Sequence, residues 1–175
     1  NIKKLEITNY IPFITMHNFK EPKNINIEKK YINLIEQIKG LISDETDIYA
    51  ILSNVSAAIH QTFDWLWVGF YLAKEEELIL GPFQGPVACF RIKKGEGVCG
   101  VTWKKKKTII VPDVEKFPGH IACSSDSKSE IVLPIFKNSN VFGVLDIDSK
   151  EINTFNEVDK KYLELLIRVI EKKLV

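Results

Sequence analysis

The sequence predicts an α+β domain, a largely antiparallel sheet covered by helices. Three observations lead to that expectation. Two early stretches repeat their apolar residues at helical spacing. The middle of the chain changes to a period of two, in runs that arrive in adjacent pairs. One further helical stripe closes the sequence.

Residues 1–23 contain two prolines, Pro12 and Pro22, and little pattern, and are expected to form an N-terminal strap or tail before a single domain over 24–175. From Asn26, the positions Ile27, Tyr31, Leu34, Ile35, Ile38, Leu41 and Ile42 mark an amphipathic helix. After the polar break SDET, Ile48, Ile51, Leu52, Val55 and Ile59 mark a second. The run WLWVGFYL is aromatic and β-branched. Its alternation sets Leu66, Val68, Phe70 and Leu72 on one face and Trp65, Trp67, Gly69 and Tyr71 on the other. KEEE turns it into ELILGPF, and VACFRI (87–92) reads as a third strand. A glycine-rich connection, KKGEGVCG, leads to the short strand TIIVPDV. EIVLPIF and VFGVLDID follow, joined by the hairpin turn KNSN. The closing helix starts near Asn156, a plausible cap, with Asp159 in its first turn. Its stripe is Val158, Tyr162, Leu165, Leu166, Val169 and Ile170.

A chain of 175 residues buries about 70% of its unfolded surface and needs no staples. With 24 basic and 23 acidic residues the net charge is +1, so no bulk field attracts nucleic acid or a membrane surface. The one dense basic run, Lys104 to Lys107, reads as a solvated turn. No stretch approaches the roughly 18 apolar residues of a membrane span, and the first residues are too polar for a secretion signal. A cytoplasmic location is expected, where the three cysteines are thiols at rest.

Chemistry concentrates in FPGHIACSSDSKSEIVLP (117–134). It places Cys123 after a proline-glycine turn, before a run of hydroxyls, with Glu130 opening the next strand. A thiol kept for packing would sit among Ile and Val instead. In VFGVLDID, Asp146 and Asp148 are two apart and project from one strand face, which begins with Phe142 and Val144; Val141, Gly143, Leu145 and Ile147 form a core row opposite. On periodicity alone, a strand running out into solvent is the favoured account of the two aspartates. Trp67 and Tyr71 share a face with Gly69, which adds no bulk between them. That face describes either core or the floor of a small-molecule pocket.

Two motifs are set aside. Gly95, Gly97 and Gly100 spell G-x-G-x-x-G, yet only ten residues separate Gly100 from Val111, too few for the crossover helix of a dinucleotide fold. Cys89, Cys99, Cys123 and His120 do not have the close-paired spacing of a structural zinc site, so no metal is expected.

Taken together, WVGFY, LGPFQG, GVCG, VPDV, FPGHIAC, SEIVLP and GVLDIDS, in this order, resemble the free methionine-(R)-sulfoxide reductases, enzymes on the GAF fold. The resemblance runs from about Ile27 to the end of the chain and takes in all three cysteines. It implies a sheet of about six strands with helices on both faces, and a homodimer. It implies that the substrate is the free amino acid methionine sulfoxide, R epimer. Cys123 resembles the cysteine that attacks the sulfoxide. Cys89 resembles its disulfide partner, and Cys99 the third cysteine, tied to substrate recognition or a secondary disulfide. Trp67, Tyr71, Glu130, Asp146 and Asp148 match the family's pocket residues. Ser124 stands where the family often has Asp, with Asp126 two positions on.

A sulfoxide sulfur accepts a thiolate only if its oxygen gains a proton, so the site needs a nucleophilic sulfur and an acid across the substrate from it. Crowded together, Glu130, Asp146 and Asp148 cannot all ionise, and the retained proton is the candidate general acid. The remaining charge would hold the substrate ammonium. Backbone and hydroxyl groups of Ser124 to Ser129 would take its carboxylate, and Trp67 would shelter the methyl on sulfur. Cys123 would pass through a sulfenic acid to a disulfide, reset by thioredoxin or a similar external dithiol with no bound cofactor. His120 is expected to order the loop rather than to shuttle protons. The rival expectations are a GAF ligand sensor without turnover and a plain thiol peroxidase or redox switch.

Overall fold

The structure, a computed structural model, describes residues 26–121 and 123–174. The expected strap at 1–23 lies outside the described residues. Helix α1 (Ile27–Leu41) starts at Asn26, whose side chain accepts a hydrogen bond from the Lys29 N–H, and α2 (Ile48–Phe63) starts at Asp47, which accepts from Ala50. Each side chain satisfies one of the N–H groups that an α-helix leaves unpaired at its start.

Six strands follow: β1 (Trp67–Lys74), β2 (Glu77–Gln84), β3 (Arg91–Lys93), β4 (Ile109–Val111), β5 (Ser129–Lys137) and β6 (Asn140–Ser149), with helix α3 (Gly97–Lys105) between β3 and β4 and α4 (Glu157–Glu171) at the end. They form one sheet in the order β3-β2-β1-β6-β5-β4, every neighbour antiparallel. The KNSN turn carries positive φ at both Asn138 and Ser139 (49° and 64°), the primed geometry that matches strand twist.

The sheet separates two apolar layers. One face packs α1, α2 and α4 over Val68, Phe70, Ile131, Leu133, Leu145 and Ile147. On α4, Leu163, Leu166, Ile167 and Ile170 are buried, each worth about 1.5–3 kcal/mol relative to exposure. Tyr31 ties α1 to α4 by donating a hydrogen bond to Asp159 (2.7 Å), which also closes the capping box on Asn156. The opposite face carries α3 over Trp67, Tyr71, Val111, Val132 and Val144.

Several expectations are corrected. The third strand covers only Arg91–Lys93, because residues before it form a loop fastened to the sheet by side chains. From Gly97 the glycine-rich connection becomes helix α3, where a connecting loop is expected. Gly100 is needed there, since a Cβ would press on the Lys93 carbonyl, and burial of Val98, Cys99, Thr102 and Trp103 holds a segment of low helical propensity. That helix joins opposite edges of the sheet, so the glycine motif serves no parallel crossover. The Trp65/Leu66 alternation fails because β1 begins only at Trp67: Trp65 joins the α1/α2/α4 layer and Leu66 the α3 layer. On β6 a register shift near Phe136 sends Val141 to the α3 layer and Phe142 to the other. Leu165 of the α4 stripe is 40% exposed.

Candidate active site

The sheet register assembles the site on the α3 face. Trp67 on β1 pairs with Asp148 on β6, Asp148 with Glu130 on β5, and Glu130 with Val111 on β4, a single row across four strands. One step along the same face, Gly69 pairs with Asp146 and Asp146 with Val132. Two aspartates two residues apart, and a glutamate from the neighbouring strand, therefore share one floor. The Trp67 ring lies between Phe83 (5.3 Å) and Tyr71 (5.9 Å), over Gly69, where any Cβ would meet the indole and the Phe83 Cβ.

The walls come from α3 and two loops. Val98 and Cys99 stand on one side, while His120, Ile121, Cys123, Ser124 and Ser127 close another. A disulfide joins Cys89 to Cys123. Trp67 Nε1 donates to the Pro86 carbonyl (3.1 Å) and the Tyr71 hydroxyl to the Cys89 carbonyl (2.9 Å), so the floor's aromatic tips fix the loop that holds Cys89.

The electrostatics are one-sided. Cys99 Sγ and carboxylate oxygens of Glu130 and Asp146 lie within 4.8 Å of one another. Burial, then Asp146, then Asp148 push the Glu130 carboxyl well above the usual carboxylate range. Burial and the Asp148 charge push Asp146 up likewise, opposed by hydrogen bonding from Cys99 and Glu130. Burial raises Asp148 to about 6 against the Ser127 hydroxyl, which donates a hydrogen bond to it. Burial and these acids push the Cys99 thiol up. His120, its Nε2 3.7 Å from Glu130, is the one described lining residue able to carry positive charge, and burial lowers its pKa. The buried oxygen Oδ1 of Asp146 has no hydrogen-bond partner. Such a floor demands a proton or a cation.

A GAF domain model matches residues 45–172. GAF domain-containing protein A of Dictyostelium discoideum is 57% identical, over 82% of this chain and 92% of its own length. The free methionine-R-sulfoxide reductase of Saccharomyces cerevisiae is 44% identical over 87% of this chain and 89% of its own. A free methionine-R-sulfoxide reductase of Neisseria meningitidis, solved in complex with its substrate, superposes with a TM-score of 0.89 at 45% identity, covering 91% of this chain and 96% of that one. The chain belongs to the free methionine-R-sulfoxide reductase family.

In this free methionine-R-sulfoxide reductase family member, Trp67, Tyr71, Cys99, Cys123, Ser124, Glu130, Asp146 and Asp148 border one pocket, as residues drawn from five separate segments. Cys89 does not line the pocket but is joined to it through the sulfur of Cys123. That disulfide removes two of the four donors weighed as a zinc tetrad. Ser129 is a correction: as the neighbour of Glu130 on a strand it points to the other face, where its hydroxyl donates to the Glu151 carbonyl (2.6 Å). Asp126 is exposed and outside the wall, touching the site only through its N–H to Ser124 Oγ (3.3 Å). Sequence reasoning missed Ser127 as the hydroxyl that meets Asp148, and the apolar contributions of Val98 and Ile121. A loop hydroxyl has no periodicity to reveal its direction. Val98 and Ile121 were legible as apolar, without any signal of the pocket they close.

Proposed function

We propose that this chain is an L-methionine (R)-S-oxide reductase, acting on the free amino acid. The observation that carries the reading is Cys123, oxidised onto Cys89, at the wall of a pocket floored by Glu130, Asp146 and Asp148. In the reduced protein the Cys123 thiolate attacks the sulfoxide sulfur while a carboxyl proton from the floor moves to the oxygen. In the adduct the protonated oxygen passes from the methionine sulfur to the Cys123 sulfur as the bond between the two sulfurs breaks, so methionine leaves and Cys123 is left as a sulfenic acid. The Cys89 thiol then attacks that sulfur, water departs, and the disulfide forms. The proton released from the Cys123 thiol restores the acid.

The floor selects the substrate as well. With no lysine or arginine among the described residues that line the pocket, its remaining negative charge suits an ammonium group. A free amino acid presents that group, and a peptide-bound residue does not. The Trp67 ring, packed flat beside Phe83, suits the methyl on sulfur. Ser124 and loop N–H groups are assigned the substrate carboxylate.

The cycle is closed by an external dithiol such as thioredoxin, without a bound cofactor. The protein is assigned to the cytoplasm, and no described helix is long and apolar enough to cross a membrane. A homodimer is also proposed. Ile32 and Leu165 leave an apolar strip between α1 and α4, rimmed by Glu36, Lys39, Arg168 and Lys172, charges of both signs that a two-fold contact can pair.

The test is incubation with racemic free L-methionine sulfoxide and dithiothreitol, beside an N-acetylated, amide-blocked sulfoxide. Methionine should form from the first, stopping near half conversion, and little from the second. Absence of turnover would leave a ligand sensor, and peroxide consumption without methionine a thiol peroxidase.

A further inference from the structure

The structure carries an exposed apolar feature beside its disulfide, of which Val87 also lines the reaction pocket and Phe90 does not. Val87 and Phe90 are 87% and 80% exposed, and they flank Cys89 in sequence. Large apolar side chains this open are ordinary on loose loops, but this loop is anchored. Three of its carbonyls accept hydrogen bonds: Pro86 from the Trp67 indole, Cys89 from the Tyr71 hydroxyl, and Phe90 from the Leu80 N–H (3.0 Å). The backbone is tied inward while two apolar side chains stand outward beside a reducible sulfur.

We propose that Phe90 and Val87 form the docking surface for a protein dithiol that reduces the Cys89–Cys123 disulfide. Approach from this side follows from chain position: Cys123 borders the pocket, whereas Cys89 does not line it and lies between the two apolar side chains on one segment. The size of the patch fits the same partner. Two side chains expose a few hundred Å² at most, far below the surface of a lasting complex and in the range of a brief redox encounter. The occupant is thus a small oxidoreductase with an apolar rim around its own cysteines, not a second copy of this chain.

One thiolate of the partner attacks Cys89 Sγ, the bond to Cys123 breaks, and Cys123 leaves as a thiolate. The partner's second thiolate attacks its own first sulfur and releases Cys89. Two electrons pass from partner to protein, the partner ends as a disulfide, and its two protons end on Cys89 and Cys123. The inference rests on the reductase reading only for its purpose; the exchange itself needs no methionine sulfoxide.

The test therefore follows disulfide reduction directly, by alkylation and mass measurement of the released thiols in the full oxidised chain. Thioredoxin and dithiothreitol are the two reductants. Val87 also borders the pocket mouth, so Phe90 carries the substitution. Phe90→Ser should lower the second-order rate with thioredoxin about tenfold or more and leave the dithiothreitol rate unchanged. Phe90→Leu, which keeps an apolar side chain, should restore most of the thioredoxin rate. Equal thioredoxin rates in wild type and Phe90→Ser overturn the docking surface, as does an equal fall with both reductants. The methionine assay above reports separately on the reductase reading.

Discussion

Glu130 on β5 and Asp148 on β6 are directly opposed partners in the sheet, with both carboxyls turned to the α3 face. Like charges so placed cannot both ionise cheaply, and burial adds to the cost. The unfolded chain holds aspartate protons only below about pH 4, whereas folded Asp148 holds its proton up to about pH 6. The native state binds more protons across that window. Its stability is therefore greatest below the unfolded value and declines as pH rises through the folded one. Asp148→Asn removes the titration while keeping an acceptor for Ser127. Its melting temperature relative to wild type should rise from pH 4 to pH 7.5 by on the order of 5 °C. A difference that stays flat over that range would show that Asp148 ionises as freely in the folded protein as in the unfolded one.

The retained proton should also govern the rate. Glu130→Ala or Asp146→Ala is expected to lower kcat/KM about 10² or more, the usual contribution of a positioned acid. Wild-type activity should fall on the alkaline side as the coupled acids lose their last proton. An unaltered rate in either variant removes that carboxyl from proton delivery. The buried, unpartnered oxygen Oδ1 of Asp146 is the reason to expect the larger loss there.

The layer plan was legible because periodicity is a direct image of burial. Val68 and Phe70 alternate with Trp67 and Tyr71 in sequence, and they separate onto the two faces of the sheet. Asp146 and Asp148 follow the same rule, so a shared face was readable two residues apart. The convergence of Cys123, Glu130 and Trp67 was not readable from spacing, since strand order is decided by long-range pairing; the motif resemblance supplied it. Helix α3 is not legible because its two glycines argue against a helix, while the burial of Trp103 and Cys99 that overrides them is a tertiary effect. Ser129 was misplaced by the opposite error. Its place in a run of serines suggests a loop, although strand β5 begins with it and fixes its direction.

The sulfur order is testable in a single turnover. Without reductant, the wild-type protein should release one methionine per chain and form the Cys89–Cys123 bond. Cys123→Ser should release none. Cys89→Ser should still give the first methionine but leave a sulfenic acid that dimedone captures. Cys99→Ser should keep both the burst and the disulfide, because burial and the neighbouring acids hold the Cys99 thiol protonated and poorly nucleophilic. Loss of disulfide formation in Cys99→Ser, measured by non-reducing peptide mapping, would reverse the assigned order.

Gly69 offers a test of the floor that touches no reacting group. It sits opposite Asp146 and beneath the Trp67 ring, and a methyl there would overlap both the indole and the Phe83 Cβ. Neither neighbour can retreat easily: Phe83 belongs to β2, and the indole is held by its bond to Pro86 (3.1 Å). Gly69→Ala should therefore cost about 1–3 kcal/mol of stability through overpacking. The displaced indole should raise KM for methionine sulfoxide about tenfold, with a smaller change in kcat, since the acids and Cys123 stay in place. The displaced indole should also loosen the Cys89 loop and speed disulfide reduction by dithiothreitol. A variant with wild-type KM and wild-type disulfide reduction would show that Trp67 neither lines the substrate site nor anchors that loop.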